Sequence, residues 1–108
     1  MSFIAMNRFR IALGREEEFE QIWRERESNL PGVPGFEAFH LLRGPSNDDF
    51  TLFASHTVWA SRRHFEDWTH SEAFRRSNGS AARSGGLYLG PPQLELFDAV
   101  QELIGSTP

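Results

Sequence analysis

Residues 3–11 alternate as a strand does: Phe3, Ala5, Asn7, Phe9 and Ile11 fall on one face, and Ile4, Met6, Arg8 and Arg10 on the other. Both rows carry apolar side chains, so neither face is expected to be wholly open. Gly14 closes this segment, and residues 15–29 take up a helical period with Phe19, Ile22, Trp23 and Arg26 on the inward stripe. Glu16, Glu17 and Glu18 occupy the first turn, where carboxylates suit the positive end of the helix dipole. The rest of that charge run reads as a solvated face. Pro31, Gly32, Pro34 and Gly35 then break the chain. Alternation returns over 36–43, with Phe36, Ala38, His40 and Leu42 opposed to Glu37, Phe39, Leu41 and Arg43. A hairpin-like connection over 44–48 leads to a third strand at 50–59, where Leu52, Ala54, His56 and Val58 oppose Phe53, Ser55 and Thr57.

The stretch 57–78 joins that strand to a second helix. Ser61 is placed to cap it, and His64, Phe65 and Trp68 then share one side. Ser71 is a second capping residue, with Glu72 in the following turn and Phe74 turned inward. The Gly- and Ser-rich residues 79–86 read as a mobile loop. Residues 87–89 and 94–100 supply the last extended material, interrupted by Gly90, Pro91 and Pro92. The order strand, helix, strand, strand, helix, strand describes a ferredoxin-like βαββαβ α+β sandwich, with 1–108 as a single domain. Helices in this layout cover one sheet face only. Ile4, Met6, Phe39 and Leu41, or the opposite rows, are left to fill the other, which predicts a homodimer with its sheets face to face, a dimeric α+β barrel.

Composition narrows the chemistry. The 108 residues are 39% hydrophobic and contain no cysteine, which excludes disulfides, thiolate nucleophiles and thiolate metal sites. No dissociable metal is predicted. A formal charge of -4 weighs against nucleic acid, whose phosphates require lysine and arginine. No apolar run approaches the length of a membrane span, and the opening MSFIAMNRFR reads as a first strand rather than a signal peptide, so a cytoplasmic location is expected. Asn7 stands out. It is a carboxamide flanked on its own face by Ala5 and Phe9, and either a neighbouring backbone or a ligand has to satisfy it.

The segments FIAMNRFRIALGREEEFEQIWRERES, PGFEAFHLLRGP and SHTVWASRRHFEDWTHSEAF, with ELFDAVQ near the end, resemble the antibiotic biosynthesis monooxygenase superfamily. Within it they are most similar to the haem-degrading monooxygenases of the IsdG and HmuQ type. The resemblance implies a homodimer in which each subunit binds haem between sheet and helices and oxidises it with dioxygen and an external electron donor, releasing iron. It also implies roles. Asn7 matches the family's amide that hydrogen-bonds oxygen on the iron, and Trp68 matches the indole that distorts the porphyrin. Phe65 and Phe74 would help line the pocket.

A third family position differs. Ten residues after Trp68, where the resemblance expects the proximal histidine, this chain has Asn78, a weak neutral donor for ferric iron. His70 turns away from Trp68, His64 shares its side but meets a ligand only in a different orientation, and His40 and His56 fall on strands whose faces stay open, so none is promoted to ligand. Arg75, Arg76 and Arg83 suit the carboxylates of an anionic ligand, or simply a surface. Three functions follow: a haem-degrading monooxygenase in diverged form, a cofactor-independent monooxygenase of the same superfamily acting on a small aromatic molecule, or a non-catalytic haem- or small-molecule-binding dimer.

Overall fold

The computed structural model describes residues 2–71 and 85–105. Its elements are β1 (Phe3–Ala12), α1 (Glu16–Arg26), a 3-10 segment (Glu27–Gly32), β2 (Phe36–Ser46), β3 (Phe50–Trp59), α2 (Arg62–Thr69) and β4 (Gln93–Asp98). The strands form one antiparallel sheet in the order β2-β3-β1-β4. This is the ferredoxin-like arrangement that the alternation in the sequence predicts. Among the described residues no helix is long and apolar enough to cross a membrane.

The alternation of β1 resolves cleanly into two faces. Phe3, Ala5, Phe9 and Ile11 are buried, whereas Arg8 and Arg10 are exposed. Trp59, Phe53, Ser55 and Thr57 of β3 lie beneath the same helices, paired in register with the buried row of β1. Two clusters fill this layer. One joins Phe9, Ile11, Phe19, Trp23, Phe53 and Leu87, and the other joins Phe3, Ala5, Leu30, Trp59 and Phe65. Phe39 packs against both.

Two expectations change. In β2, Phe36 pairs with Trp59 but Ala38 already pairs with Val58, so Glu37 is an extra, bulged residue. The bulge resets the parity, and Phe36 joins Phe39 on the helix side instead of sharing the face of Ala38, His40 and Leu42. Phe39 and Leu41 likewise pack against the core clusters and leave Ile4 and Met6 on the open face without them. Second, α1 gives way at Arg26 to the 3-10 segment, which contains Pro31. Proline has no N–H for the ladder and disfavours α geometry in the residue before it. The inward placement expected for Arg26 lies outside the described side chains. Residues 87–89 are extended, as expected, and Tyr88 bridges antiparallel to Ile11. The Ala12 N–H donates to the Leu87 carbonyl at 3.0 Å and the Leu89 N–H to that of Arg10 at 2.9 Å, so the segment extends the end of β1 and buries Leu87 completely. The expected mobility of 79–86 falls mostly outside the described residues.

Candidate functional site

Asn7 sits in the middle of β1, directly opposite Ser55 of β3 and Leu94 of β4. Opposed residues of antiparallel strands project to the same side, so all three share the face that carries the helices. Ser55 is buried and small. The Asn7 Oδ1 atom is buried and has no hydrogen-bond partner among the described residues. Such an acceptor costs about 1–3 kcal/mol when it is left unmade. The acceptor lies in the middle of β1, between the buried Ala5 and Phe9 of the same face.

Toward β3 the neighbours of Asn7 include the buried Ser55, whereas toward β4 they are apolar and open. Across β4, Leu94 and Leu96 face the same way as Asn7 and Ala5, and remain 55% and 38% exposed. Together they make a greasy floor carrying one amide. The pattern LELF in 94–97 held the signal for Leu94 and Leu96, because its parity matches that of β1, but sequence alone did not show that β4 pairs with β1.

Trp68 comes from α2, whose position is fixed at its start. The Ser61 hydroxyl accepts the His64 backbone N–H at 3.3 Å, and Phe65 drops into the core 5.6 Å from the Phe3 ring. One turn later Trp68 lies against Trp59 at 5.4 Å and against Phe65 at 6.3 Å. Trp68 therefore packs on the cluster that includes Ala5, the next residue from Asn7 on the same face of β1. The two residues singled out from the sequence lie on one side of the sheet. Phe65, expected to line the pocket, is only 7% exposed and supports Trp68 from beneath. Sequence reasoning missed Trp59. It is fully buried under Trp68, and its Nε1 has no acceptor among the described residues. Asn78 and Phe74 lie outside the described residues, as do Arg75, Arg76 and Arg83.

The histidines are placed elsewhere. His64 has Nδ1 2.8 Å from the Ser61 hydroxyl, and its ring lies over Gly35. His70 caps the end of α2 and is exposed. His40 and His56 face each other on the open side of the sheet, away from Asn7. No group of three or more His, Cys, Asp or Glu side chains among the described residues is placed to hold a metal. A hollow of about 300 Å³ between α1 and β2 is lined by Glu20, Arg24, Leu41, Arg43 and Phe53. Its two arginines both pair with Glu20, so its charge is largely met from within.

Comparison with known proteins fits this geometry. Residues 2–79 match the antibiotic biosynthesis monooxygenase family. The chain belongs to that family. A haem oxygenase (staphylobilin-producing) of Staphylococcus aureus strain Newman is 26% identical over 78 residues, which is 72% of each chain. Among solved structures, the haem-degrader MhuD of Mycobacterium tuberculosis, with two haems bound in its active site, superposes with a TM-score of 0.72 at 26% identity, covering 94% of this chain and 98% of that one. A mutant of SnoaB, a cofactor-independent oxygenase of Streptomyces nogalater, gives a TM-score of 0.73 at 25% identity over 94% and 96%. The family thus includes similar chains on both sides of the haem question.

Proposed function

We propose that this chain is a haem-degrading monooxygenase in diverged form, which takes a flat tetrapyrrole onto the helix side of its sheet. The observation that carries the reading is the buried Asn7 Oδ1 atom, without a hydrogen-bond partner among the described residues, beside the exposed Leu94 and Leu96. A ring system needs apolar area for its faces and a few placed polar groups to fix its orientation, and this floor supplies both. Haem, as substrate, brings the iron that activates dioxygen. Asn7 orients what binds over the ring centre, since its terminal torsion can present either the oxygen or the NH₂ group. Trp68, held by Trp59 and Phe65, presses on the ring from the helix side. Asn78 takes the place where the haem-degrading relatives are expected to carry histidine.

The open sheet face completes the reading. Ile4, Met6, Leu52, Val58 and Leu42 lie there with Phe97, which is 46% exposed. A second copy packed across that face forms a homodimer and removes this apolar surface from water.

Titration with haemin near neutral pH tests the proposal. Binding is expected to be stoichiometric with a shifted Soret band, and a reductant in air should bleach it. Asn78→His is expected to tighten binding by adding an imidazole ligand, while Asn7→Ala should slow bleaching more than it weakens binding. A specific observation favours the second reading, a cofactor-independent monooxygenase acting on a small aromatic molecule. Position 78, where the haem-degrading relatives are expected to carry the proximal histidine, is asparagine. Absence of a Soret shift in the haemin titration decides for that second reading.

A further inference from the structure

One row of side chains crosses the open face of the sheet: His40 on β2, His56 on β3, Met6 on β1 and Glu95 on β4, each directly opposite the next. The substrate site proposed above uses none of them, since Asn7 and Trp68 lie on the other face, and Met6 enters that reading only as part of the face a second copy covers. The His40 and His56 rings have centroids 5.9 Å apart and are tilted by 51°. His40 is exposed and His56 half-buried.

We propose that His40, His56 and Met6 form a copper-binding site on the sheet face opposite the candidate substrate site. The ring separation is the first support. A metal–nitrogen bond is about 2.0–2.1 Å, and the ring centre lies about 1.2 Å farther out, so two imidazoles on one ion have centroids about 5.3 Å apart at a tetrahedral angle, about 5.6 Å at a trigonal one and about 6.5 Å when linear. The observed 5.9 Å falls between the trigonal and linear values. Two nitrogens can therefore converge on one ion by ring rotation, with the strands left where they are.

Donor chemistry selects the metal. Imidazole suits several late first-row ions, but a thioether is soft and favours copper(I), and for divalent ions copper also stands highest in the general affinity order. Met6 is next to His56 in the row and half-buried, and its three side-chain torsions let the sulfur lean toward the pair. Glu95 is turned to Arg8, at 2.6 Å, and leaves the row to the three softer donors. No hydrogen bond among the described residues ties down either imidazole. Where two copies pack across this face the row lies in their interface, and bound copper then strengthens the dimer.

The test uses the whole chain under reducing conditions, with copper(I) delivered from a chromogenic chelator and zinc(II) titrated as a control. One copper(I) per chain is expected. His40→Ala and His56→Ala should each weaken binding by about tenfold or more, since losing a ligand costs at least as much as losing a ligand's partner, about 10- to 100-fold. Met6→Leu should weaken copper(I) severalfold and leave zinc(II) unchanged. His70→Ala, at the end of α2, should change nothing. Circular dichroism checks that each variant folds, and X-ray absorption at the copper edge should show nitrogen and sulfur neighbours together. Copper(I) binding that survives loss of both His40 and His56, or a copper edge without sulfur, overturns the proposal, as does failure of the chain to compete with the chelator.

Discussion

Gly35→Ala attacks the joint that sets α2, and with it Trp68, against the sheet. Gly35 has φ of +79°, in the left-handed region, where an L-residue costs about 1–2 kcal/mol. Its missing side chain matters as much. A Cβ built there stands 2.1 Å from Cγ, 2.4 Å from Cδ2 and 2.5 Å from Cβ of His64, so the imidazole and the helix turn that carries it have to move. His64 also holds the helix start, with Nδ1 2.8 Å from the Ser61 hydroxyl that accepts its backbone N–H. Losing that cap costs about 1 kcal/mol more. The backbone has little freedom to yield, because the Gly35 carbonyl accepts the Ala60 N–H at 2.8 Å. Gly35→Ala should therefore destabilise the fold by about 2–4 kcal/mol in urea unfolding. The informative measurement is the double variant. His64→Ala removes the ring but keeps a Cβ 2.5 Å from the new methyl group, so Gly35→Ala in that background should keep its backbone strain and part of the clash, and the cycle should show about 1 kcal/mol or more of coupling from the ring. Strictly additive losses would mean that the imidazole does not rest on Gly35.

Phe19→Ala should cost about 3–5 kcal/mol in the same assay, since that ring is fully buried against Phe53, Phe9 and Trp23. The Glu16 carboxyl is held below its ordinary pKa by the Thr51 hydroxyl, which donates to Oε2 at 2.7 Å, and by backbone N–H groups. A depressed folded-state pKa stabilises the fold above the unfolded value of about 4.3 and loses that contribution as pH falls through the folded one. Glu16→Gln should therefore flatten the acid limb of the stability profile, with its effect visible near neutrality and fading in acid. Asn7→Leu removes a buried acceptor without a partner, so it should leave stability equal or raise it by about 1 kcal/mol while haemin bleaching falls. A large loss of stability in that variant would show that the amide serves the fold.

How far the sequence could be read depends on which physical signal each feature leaves. Alternation in β1 and β3 separated the two rows correctly without saying which is covered, because a two-residue period survives wherever pairing is regular. It failed in β2, where the bulge at Glu37 reverses parity and no residue type announces it. Ser61 was legible as a cap, since few residue types can accept an N–H there. The floor under the candidate site was less legible. Leu94 and Leu96 alternate like any edge strand, and their place beside Asn7 is a matter of long-range register. Trp59, flanked by Val58 and Ala60, reads as the end of a strand and gives no sign that Trp68 lies on it.

Both surfaces proposed for this chain depend on the register of one strand. Met6 and Asn7 are consecutive, and they project to opposite faces. A one-residue slip would carry the amide to the open face and the thioether under the helices. What prevents the slip is the unbroken pairing of β1 with β3, from Phe3 opposite Trp59 to Ala12 opposite Phe50. Every residue of that ladder's inner row, from Phe3 to Ile11, sits against side chains that a slip would expose, except Asn7. The amide is thus the one inner position at which packing does not itself demand the observed register. Its orientation is imposed by Ala5 and Phe9 on either side, which are 6% and 4% exposed. A polar group held in place by its apolar neighbours, with an oxygen they cannot satisfy, leaves its interaction energy for a molecule that arrives later.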